Sequence, residues 1–262
     1  MNFAFLDKIR EQEVAVAGPK FREPPGRLLE IGAGTGAQAV VLAARGFQVS
    51  AIEIAGSIYE NEQVFPVAIY DGSAIPFPDA SFDIVFSSHV LVHIVKHDDF
   101  QKEILRVLKP GGRVVHILPT TSWRFWTCLV HYPISYIRHG ARILNRLTGN
   151  STQPSVKTAP VNASGASLSF GSRLLKLLAL PFTPPARVGE HGNALSEHYL
   201  FSERCWKDLF QRNGQTVEAC LPNHLFYTGH LTLGPRLHMQ ARTVLSYLLG
   251  SAGKVYVMRL SK

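Results

Sequence analysis

The sequence predicts an α/β protein with a doubly wound parallel sheet, and residues 27–118 carry the evidence. Along this stretch, apolar runs of strand length alternate with segments of helical or turn character. The first run, RLLEIG at 27–32, ends in glycine, as a buried strand that enters a tight turn would. Repeated strand–helix–strand alternation with right-handed crossovers gives a parallel sheet that is covered by helices on both faces.

Five strands and two helices are predicted in this part of the chain. The strands are RLLEIG (27–32), QVSAIEI (48–54), PVAIYD (66–71), SFDIVFSS (81–88) and RVVHILPT (113–120). One helix is predicted over 35–46, where a glycine ends it. The other is predicted over 98–109, where apolar residues share one face and KPGG follows. The crossover between the second and third strands is short, with eleven residues between Ile54 and Pro66.

The alternation stops after Thr120 and resumes near residue 202. SERCWKDLFQRNG predicts a helix with Ser202 as its N-cap, while QTVEACLP and KVYVMRLS predict two closing strands, with a helix from about Arg236 to Leu249 between them. We therefore expect one domain with four parts. They are a helical cap at 1–26, a core at 27–120, a basic aromatic lid insertion at 121–200 and closing helices and strands at 201–262.

Composition places the chain among globular proteins. It has 262 residues, of which 46% are hydrophobic and 18% charged. No apolar run reaches the roughly 18 residues of a membrane span, and the start of the chain lacks the apolar centre of a signal peptide, so we expect a cytoplasmic protein. The three cysteines are far apart and indicate neither a disulfide framework nor a zinc site.

Charge is distributed unevenly. The net charge is +8, yet residues 104–189 contain eleven Lys and Arg and no acid, which leaves the rest of the chain at −3, the difference between the two. Arg138, Arg142 and Arg146 recur every four residues and form one stripe on a predicted amphipathic helix near two tryptophans. Three interpretations remain open: a lid helix with solvated arginines, contact with an anionic membrane surface, or an anionic soluble substrate. Nothing indicates nucleic-acid binding.

A glycine loop and strand-end carboxylates predict a ligand crevice. LEIGAGTGA places Gly32, Gly34 and Gly36 at the first strand-to-helix turn, where a ligand can approach the backbone and the helix N-terminus. Such a loop alone is weak evidence, and a purely structural tight turn is the alternative interpretation. Glu53 and Asp71 end the next two strands, and the carboxyl ends of parallel strands meet at the ligand crevice of such sheets.

Four motifs together resemble the class I S-adenosylmethionine-dependent methyltransferases, particularly the small-molecule group that includes the ubiquinone/menaquinone methyltransferases. They are LEIGAGTG, the strand end AIEI, the block DGSAIPFPDASFDIVFSSHVLVHI, and EILRVLKPGG before a strand. The resemblance covers about a third of the chain. It implies a Rossmann-like methyltransferase fold with seven strands, the last antiparallel, and S-adenosylmethionine as the cofactor.

The resemblance also implies roles for individual residues. The loop backbone would hold the methionine end of the cofactor, Glu30 would support its ammonium group, Glu53 would bind the ribose, and the strand end at Asp71 would bind the adenine. The cofactor-binding residues implied are Glu30, Gly32, Gly34, Gly36, Glu53, Asp71, Gly72, Ser73 and Ser88. One departure concerns the cleft: many relatives read SNVLEH where this chain reads SHVLVH, so that His89 replaces Asn and Val92 replaces Glu.

Methyl transfer requires an oriented acceptor and, for some acceptors, a general base. The candidate catalytic residues are His89 after the fourth strand, and His191 with Glu197 in EHGNALSEHY, where Glu190 or Glu197 would orient His191. Alternatively, these acids pair with arginines of the basic segment. No metal is expected, because His191 and His198 are seven residues apart rather than four. His116 is expected in the core.

The sequence therefore favours an enzyme that methylates a small or lipid-linked hydroxylated acceptor, located in the cytoplasm or peripherally at the inner membrane face. A soluble quinone- or natural-product-type methyltransferase is the alternative among enzymes. A non-catalytic accessory protein that binds the cofactor is the second alternative. A nicotinamide oxidoreductase would explain the glycine loop but not the other blocks.

Overall fold

The computed structural model describes residues 3–21, 24–147, 185–231 and 234–260, and a seven-stranded sheet forms its centre. The strands are β1 Arg27–Ile31, β2 Gln48–Ile54, β3 Val67–Tyr70, β4 Phe82–Ser88, β5 Leu108–Pro119, β6 Gln215–Pro222 and β7 Gly253–Leu260. Their order across the sheet is β3-β2-β1-β4-β5-β7-β6, and β7 runs antiparallel to both of its neighbours. The predicted fold class is confirmed.

Seven helices precede, connect or follow the strands in the described part of the chain. They are α1 Phe3–Ala17, α2 Ala37–Ala44, α3 His97–Val107, α4 Thr121–Leu147, α5 Glu197–Leu200, α6 Glu203–Arg212 and α7 Met239–Leu249. Single 3₁₀ turns lie at Glu60–Glu62 in the short crossover, and at Leu91–His93 after β4. Ser202 caps α6 as predicted, since its side chain accepts a hydrogen bond from the backbone N–H of Cys205.

Alternation along the strands divides the core between the two faces of the sheet. In β1, Leu29 and Ile31 belong to one buried cluster, and Leu28 belongs to the other. In β4, Val85 points to the first face, while Ile84 and Phe86 point to the second. Helix α1 contributes Phe5 and Ile9 to the first cluster and Val14 and Ala17 to the second.

Strand β5 starts earlier than the sequence predicts. It begins at Leu108, which pairs with Phe82, and the register shifts before Ile84 pairs with Arg113. Residues 109–112, expected to lie outside the strand, form this irregularity instead. Gly111 adopts a φ of 76°, and such a left-handed residue lets the chain bulge without leaving the sheet.

Helix α4 includes Pro133 and contains both the two tryptophans and the predicted amphipathic stretch with Arg138, Arg142 and Arg146. Thr120 accepts a hydrogen bond from the backbone N–H of Trp123 at its start, so the helix begins directly after β5. The lid insertion expected at 121–200 is described only over 121–147 and 185–200. The side chains of Arg138, Arg142 and Arg146 also lie outside the description. In the described part of the chain, no helix combines the length and hydropathy needed to cross a bilayer.

Candidate active site

A cavity of about 970 Å³ opens at the carboxyl ends of β1–β4. Its walls come from α1, the β1–α2 loop, the ends of β2 and β3, and the segment after β4. The predicted site residues that line it are Gly32, Gly34, Glu53, Asp71, Gly72, Ser73, Ser88 and His89. The remaining four, Glu30, Gly36, His191 and Glu197, are not in the lining. The strand ends thus bring most of the predicted residues into one cavity.

Glycine is required at two positions of the β1–α2 loop. Gly32 has a φ of 70°, and a Cβ there would lie 2.3 Å from Cγ2 of Val90. Gly36 has a φ of 79° at the start of α2, and a Cβ there would lie 2.7 Å from Cβ of Phe65. Both the left-handed backbone and the close neighbours exclude larger residues. The loop therefore leaves backbone rather than side chains facing the cavity.

Two carboxylates flank this loop. Glu53 accepts hydrogen bonds from the backbone N–H of Gly34 (2.7 Å) and of Ile54 (3.0 Å). Glu30 is 1% exposed, and its Oε2 makes no hydrogen bond to any residue the structure describes. Burial, together with the nearby charge of Glu53, raises the pKa of Glu30 to about 8. Over the described ranges neither side chain forms an ion pair, and Glu30 is mainly protonated at pH 7, so Glu53 carries the unpaired negative charge at this end of the cavity.

The turn after β3 is held by its own acidic residue. Oδ1 of Asp71 accepts from the backbone N–H groups of Ser73 (2.9 Å) and Ala74 (3.1 Å), and Oδ2 accepts from the Ser73 hydroxyl (2.7 Å). These hydrogen bonds lower the pKa of Asp71, which stays ionised. The turn fixes Asp71, Gly72 and Ser73 on the cavity wall.

Helix α1 supplies site residues that sequence reasoning missed. Leu6, Asp7 and Arg10 line the cavity, and Asp7 accepts a hydrogen bond from the Thr35 hydroxyl of the glycine loop (2.9 Å). Further along the same helix, Glu13 is fully buried. In the sequence, Arg10 and Glu13 have the spacing of an ordinary surface ion pair, so nothing there distinguishes them from solvated residues.

Glu13 is the centre of a buried polar cluster. Its Oε1 accepts hydrogen bonds from Nδ2 of Asn223 (2.9 Å) and the Tyr227 hydroxyl (2.8 Å), and lies 3.2 Å from Nε2 of His89. Its Oε2 pairs with Arg10 at 2.7 Å. Burial alone would raise the pKa of Glu13, but Arg10 and His89 outweigh burial and hold it well below its usual range. Glu13 is therefore a carboxylate.

His89 occupies an unusual backbone position at the cavity. Its φ is 59°, a left-handed conformation that is uncommon for a residue with a Cβ, and its N–H donates to the carbonyl of Ile117 at 2.8 Å. Its side chain is 13% exposed. Burial and the charge of Arg10 lower the pKa of His89. Its ring is therefore neutral at pH 7.

His116 is a core residue, as predicted. It is fully buried in β5, and Nδ1 lies 2.7 Å from the hydroxyl of Ser87. Burial lowers the pKa of His116 to about 3. The ring stays neutral at physiological pH and takes no part in the cavity lining.

The EHGNALSEHY loop does not reach the cavity. Nε2 of His191 lies 3.1 Å from the carbonyl of Ile94, and its ring packs against His97. Glu197 is fully buried, and its Oε1 accepts from the backbone N–H groups of Val188 and Gly189, both at 2.7 Å. The structure thus gives no support to the predicted catalytic roles of His191 and Glu197.

The acids of this loop instead pair with arginines, the alternative left open by the sequence. Oε2 of Glu197 lies 2.8 Å from Nε of Arg124 in α4, and both side chains are buried. Glu190 pairs with Arg187 at 3.3 Å on the surface. Acids are favoured here because the preceding segment offers only positive charge. Within the residues that the structure describes, no three His, Cys, Asp or Glu side chains are placed to hold a metal ion.

Comparison with known proteins relates the part of the chain that builds the cavity to methyltransferases. Residues 29–116 match the family model described as a methyltransferase domain. The resemblance to class I S-adenosylmethionine-dependent methyltransferases is thereby confirmed for this part of the chain. The match spans β1 through most of β5, the strands whose ends build the cavity.

Two curated relatives and one solved structure illustrate the similarity. The ubiquinone/menaquinone biosynthesis C-methyltransferase of Geotalea daltonii is 36% identical over 115 residues, which are 39% of this chain and 48% of the relative. Squalene methyltransferase 1 of Botryococcus braunii is 25% identical over 174 residues, 62% of this chain and 44% of the relative. The chain spans less than half the length of these relatives.

The solved structure supports the fold over nearly the whole chain. A S-adenosylmethionine-dependent methyltransferase from Mesorhizobium loti superposes with a TM-score of 0.53 and 14% identity, and covers 95% of this chain and 97% of its own. At this identity the likeness shows the fold alone. Because it covers 95% of the chain, the likeness extends past β5.

Proposed function

We propose that this chain transfers a methyl group from S-adenosylmethionine to a small or lipid-linked hydroxylated acceptor. One observation supports this most directly: Glu53, which forms no ion pair with any described residue, lies beside the glycine loop in a cavity of about 970 Å³, and Glu30 is buried close to it. A ligand with positive charge would neutralise Glu53 and favour the ionised form of Glu30, and S-adenosylmethionine carries both an ammonium and a sulfonium group. NADH would bring only the negative charges of its phosphates.

The residues present fit the cofactor. The backbone of Gly32 and Gly34 would face the methionine end, with Glu30 behind the loop as the counter-charge. Glu53 accepts one N–H on each oxygen and keeps lone pairs for two ribose hydroxyls. Asp71 and Ser73 would contact the adenine from their fixed turn.

When bound, the cofactor supplies an electrophilic methyl group, so the chain itself mainly orients the acceptor. Ser88 and His89 line the cavity after β4, at the end opposite to Asp71 along the sheet order. An acceptor that enters between α1 and the segment after β4 would contact both. A soluble quinone- or natural-product-type acceptor would contact the same residues and would differ only in that it enters the cavity from solution rather than from a membrane.

The lipid-linked acceptor is favoured by relatives and by the surface of α4. One relative is named for squalene and another for a quinone, both apolar molecules. Phe125, Leu129 and Ile137 on α4 are each half-exposed or more. Tyr199 on helix α5, which packs against α4, and Leu195 just before that helix are also exposed. Phe125, Leu129 and Ile137 lie in the segment 104–189, which has eleven bases and no acid, and exposed apolar residues in such a segment are typical of an interfacial element on anionic lipid.

Calorimetry with S-adenosylhomocysteine and with NADH tests the cofactor. We expect binding of the first and not of the second. Glu53→Gln should weaken binding by roughly tenfold or more, since it removes a charged acceptor from a largely buried site. Glu62→Gln changes an exposed acid outside the cavity and serves as the matched control. If the wild-type chain binds no S-adenosylhomocysteine, the proposed function is wrong.

An acceptor screen with labelled methyl donor tests the substrate class. A lipid extract, a panel of hydroquinones and a sugar-nucleotide panel are compared. Label in the lipid or hydroquinone arm supports the proposal, whereas label confined to the sugar-nucleotide arm contradicts it. Cofactor binding without label in any arm would favour the accessory-protein alternative.

Flotation with liposomes tests the membrane contact. We expect the chain to bind vesicles that contain anionic phosphatidylglycerol and to be released by salt. Phe125→Glu combined with Leu129→Glu should abolish flotation, while Val40→Glu, at an exposed apolar position on α2, should not. Flotation that is equal for all variants, or absent from the wild type, would exclude this surface as a membrane contact.

A further inference from the structure

We propose that His89 and Glu13 form a proton-accepting dyad in which His89 takes the hydroxyl proton of the acceptor through Nδ1 and Glu13 holds the ring through Nε2. This inference rests on the proposed methyl transfer and adds the proton acceptor, its positioning residue and the acceptor class. The two residues lie 76 positions apart in the chain, and α1 brings Glu13 to the end of β4. His89 is the catalytic residue of the pair, and Glu13 acts through it.

The hydrogen bonds around Nε2 determine which ring nitrogen carries the proton. Nε2 lies 3.2 Å from Oε1 of Glu13, a carboxylate that can only accept. It also lies 3.1 Å from the Tyr227 oxygen, whose own proton is donated to Glu13 at 2.8 Å. Both neighbours therefore present lone pairs, and Nε2 must be the protonated nitrogen. Within the described part of the chain, Nδ1 makes no hydrogen bond, which leaves its lone pair free to accept a proton.

The surrounding charges suit a base that starts neutral and becomes charged. Arg10 and Glu13 face the ring from α1, Tyr227 faces it from the segment after β6, and His93 lies on the next turn of its own segment. Burial and Arg10 lower the pKa of His89, while Glu13 opposes them. The ring is thus unprotonated at pH 7, and the imidazolium formed by proton transfer is stabilised by the carboxylate at Nε2.

Rigid supports fix both members. The left-handed backbone of His89 is held by its hydrogen bond to Ile117 in β5. Glu13 is held by Asn223 and Tyr227 on one oxygen and by Arg10 on the other. Four residues from three parts of the fold hold His89 and Glu13, which is more support than an ordinary surface carboxylate receives.

The step balances without a further reactant. The acceptor oxygen forms a bond to the methyl carbon, and the carbon–sulfur bond breaks with its electron pair left on sulfur. The hydroxyl proton passes to Nδ1 of His89 and then to solvent. This chemistry requires an acceptor with an acidic hydroxyl, such as a phenol or a hydroquinone, and oxygen as the atom that is methylated.

Nitrogen NMR of the full chain labelled at histidine tests the dyad without any substrate. His89→Asn assigns the His89 signals. The wild type at neutral pH should show Nε2 protonated and Nδ1 unprotonated. Glu13→Gln should lower the His89 pKa further and weaken the Nε2–H preference, because the amide can donate as well as accept. Glu62→Gln is the control and should change neither. A wild-type ring protonated at Nδ1, or an unchanged pKa in folded Glu13→Gln, would overturn the dyad.

Tyr227→Phe covers the case in which Glu13→Gln does not fold. This variant keeps the Glu13 carboxylate, so Nε2 of His89 should stay protonated. A His89 ring that carries its proton on Nδ1 in this variant counts against the dyad. With a hydroquinone that the wild type methylates, His89→Asn should retain S-adenosylhomocysteine binding and lose about 100-fold or more in turnover. The acid limb of kcat/KM against pH should follow the NMR titration and move with Glu13→Gln. Full turnover in His89→Asn contradicts the dyad. Failure of the wild type to bind S-adenosylhomocysteine contradicts only the methyltransferase proposal.

Discussion

Replacement of Glu197 by Gln should destabilise the protein without affecting cofactor binding. Glu197 and Arg124 are 0% and 1% exposed in their side chains, so the substitution leaves a buried guanidinium without its counter-charge. The new amide oxygen can still accept the hydrogen bonds from the backbone N–H groups of Val188 and Gly189, so the loss of stability comes from the broken ion pair. Removal of one partner from a buried pair costs about 3–5 kcal/mol in the free energy of unfolding.

Urea unfolding monitored by tryptophan fluorescence measures this cost. Glu190→Gln is the matched control, since its pair with Arg187 is exposed (40% and 55% for the two side chains) and solvent screening reduces its worth to about 0–1 kcal/mol. Equal losses in the two variants would refute the argument from burial. A folded, fully stable Glu197→Gln that binds S-adenosylhomocysteine but does not turn over would restore the catalytic role predicted from the sequence.

Four further substitutions test the site and the fold. Because the folded pKa of Glu30 (about 8) lies above its ordinary value of 4.5, the unfolded chain binds fewer protons between them, and stability should fall as pH rises through this window. Glu30→Gln should remove most of that fall, about 3–4 kcal/mol between pH 5 and pH 8, measured by urea unfolding at these two pH values. Gly32→Ala should reduce S-adenosylhomocysteine affinity at least about tenfold, because the new Cβ meets Val90, whereas Gly111→Ala, with positive φ but open space, should only lose about 1–2 kcal/mol of stability. Ser202→Ala should cost about 1 kcal/mol through loss of the α6 cap, with cofactor binding unchanged.

Local sequence patterns were sufficient for the sheet and for one wall of the cavity. Strand periodicity and glycine placement act over a few residues, so β1, β2 and the loop at Gly32 could be predicted nearly to the residue. Asp71 and Glu53 could be placed at the cavity because parallel strands end at the same edge. The bulge in β5 could not be predicted, because KPGG is equally compatible with the end of a helix and with an irregular part of a strand. Only the pairing with β4 decides between these two alternatives.

The sequence by itself determined the strands of the core, the glycine loop and the carboxylates at the strand ends, because each depends on neighbours in the chain. Tertiary structure alone decided which charged residues are buried. Arg10 and Glu13 look like a surface pair until α1 packs over the end of β4 and places Glu13 beside His89. Glu197 looks like a candidate for catalysis until α4 delivers Arg124 to it. Burial and long-range partners set the chemistry of a carboxylate, and neither can be read from the residues on either side of it.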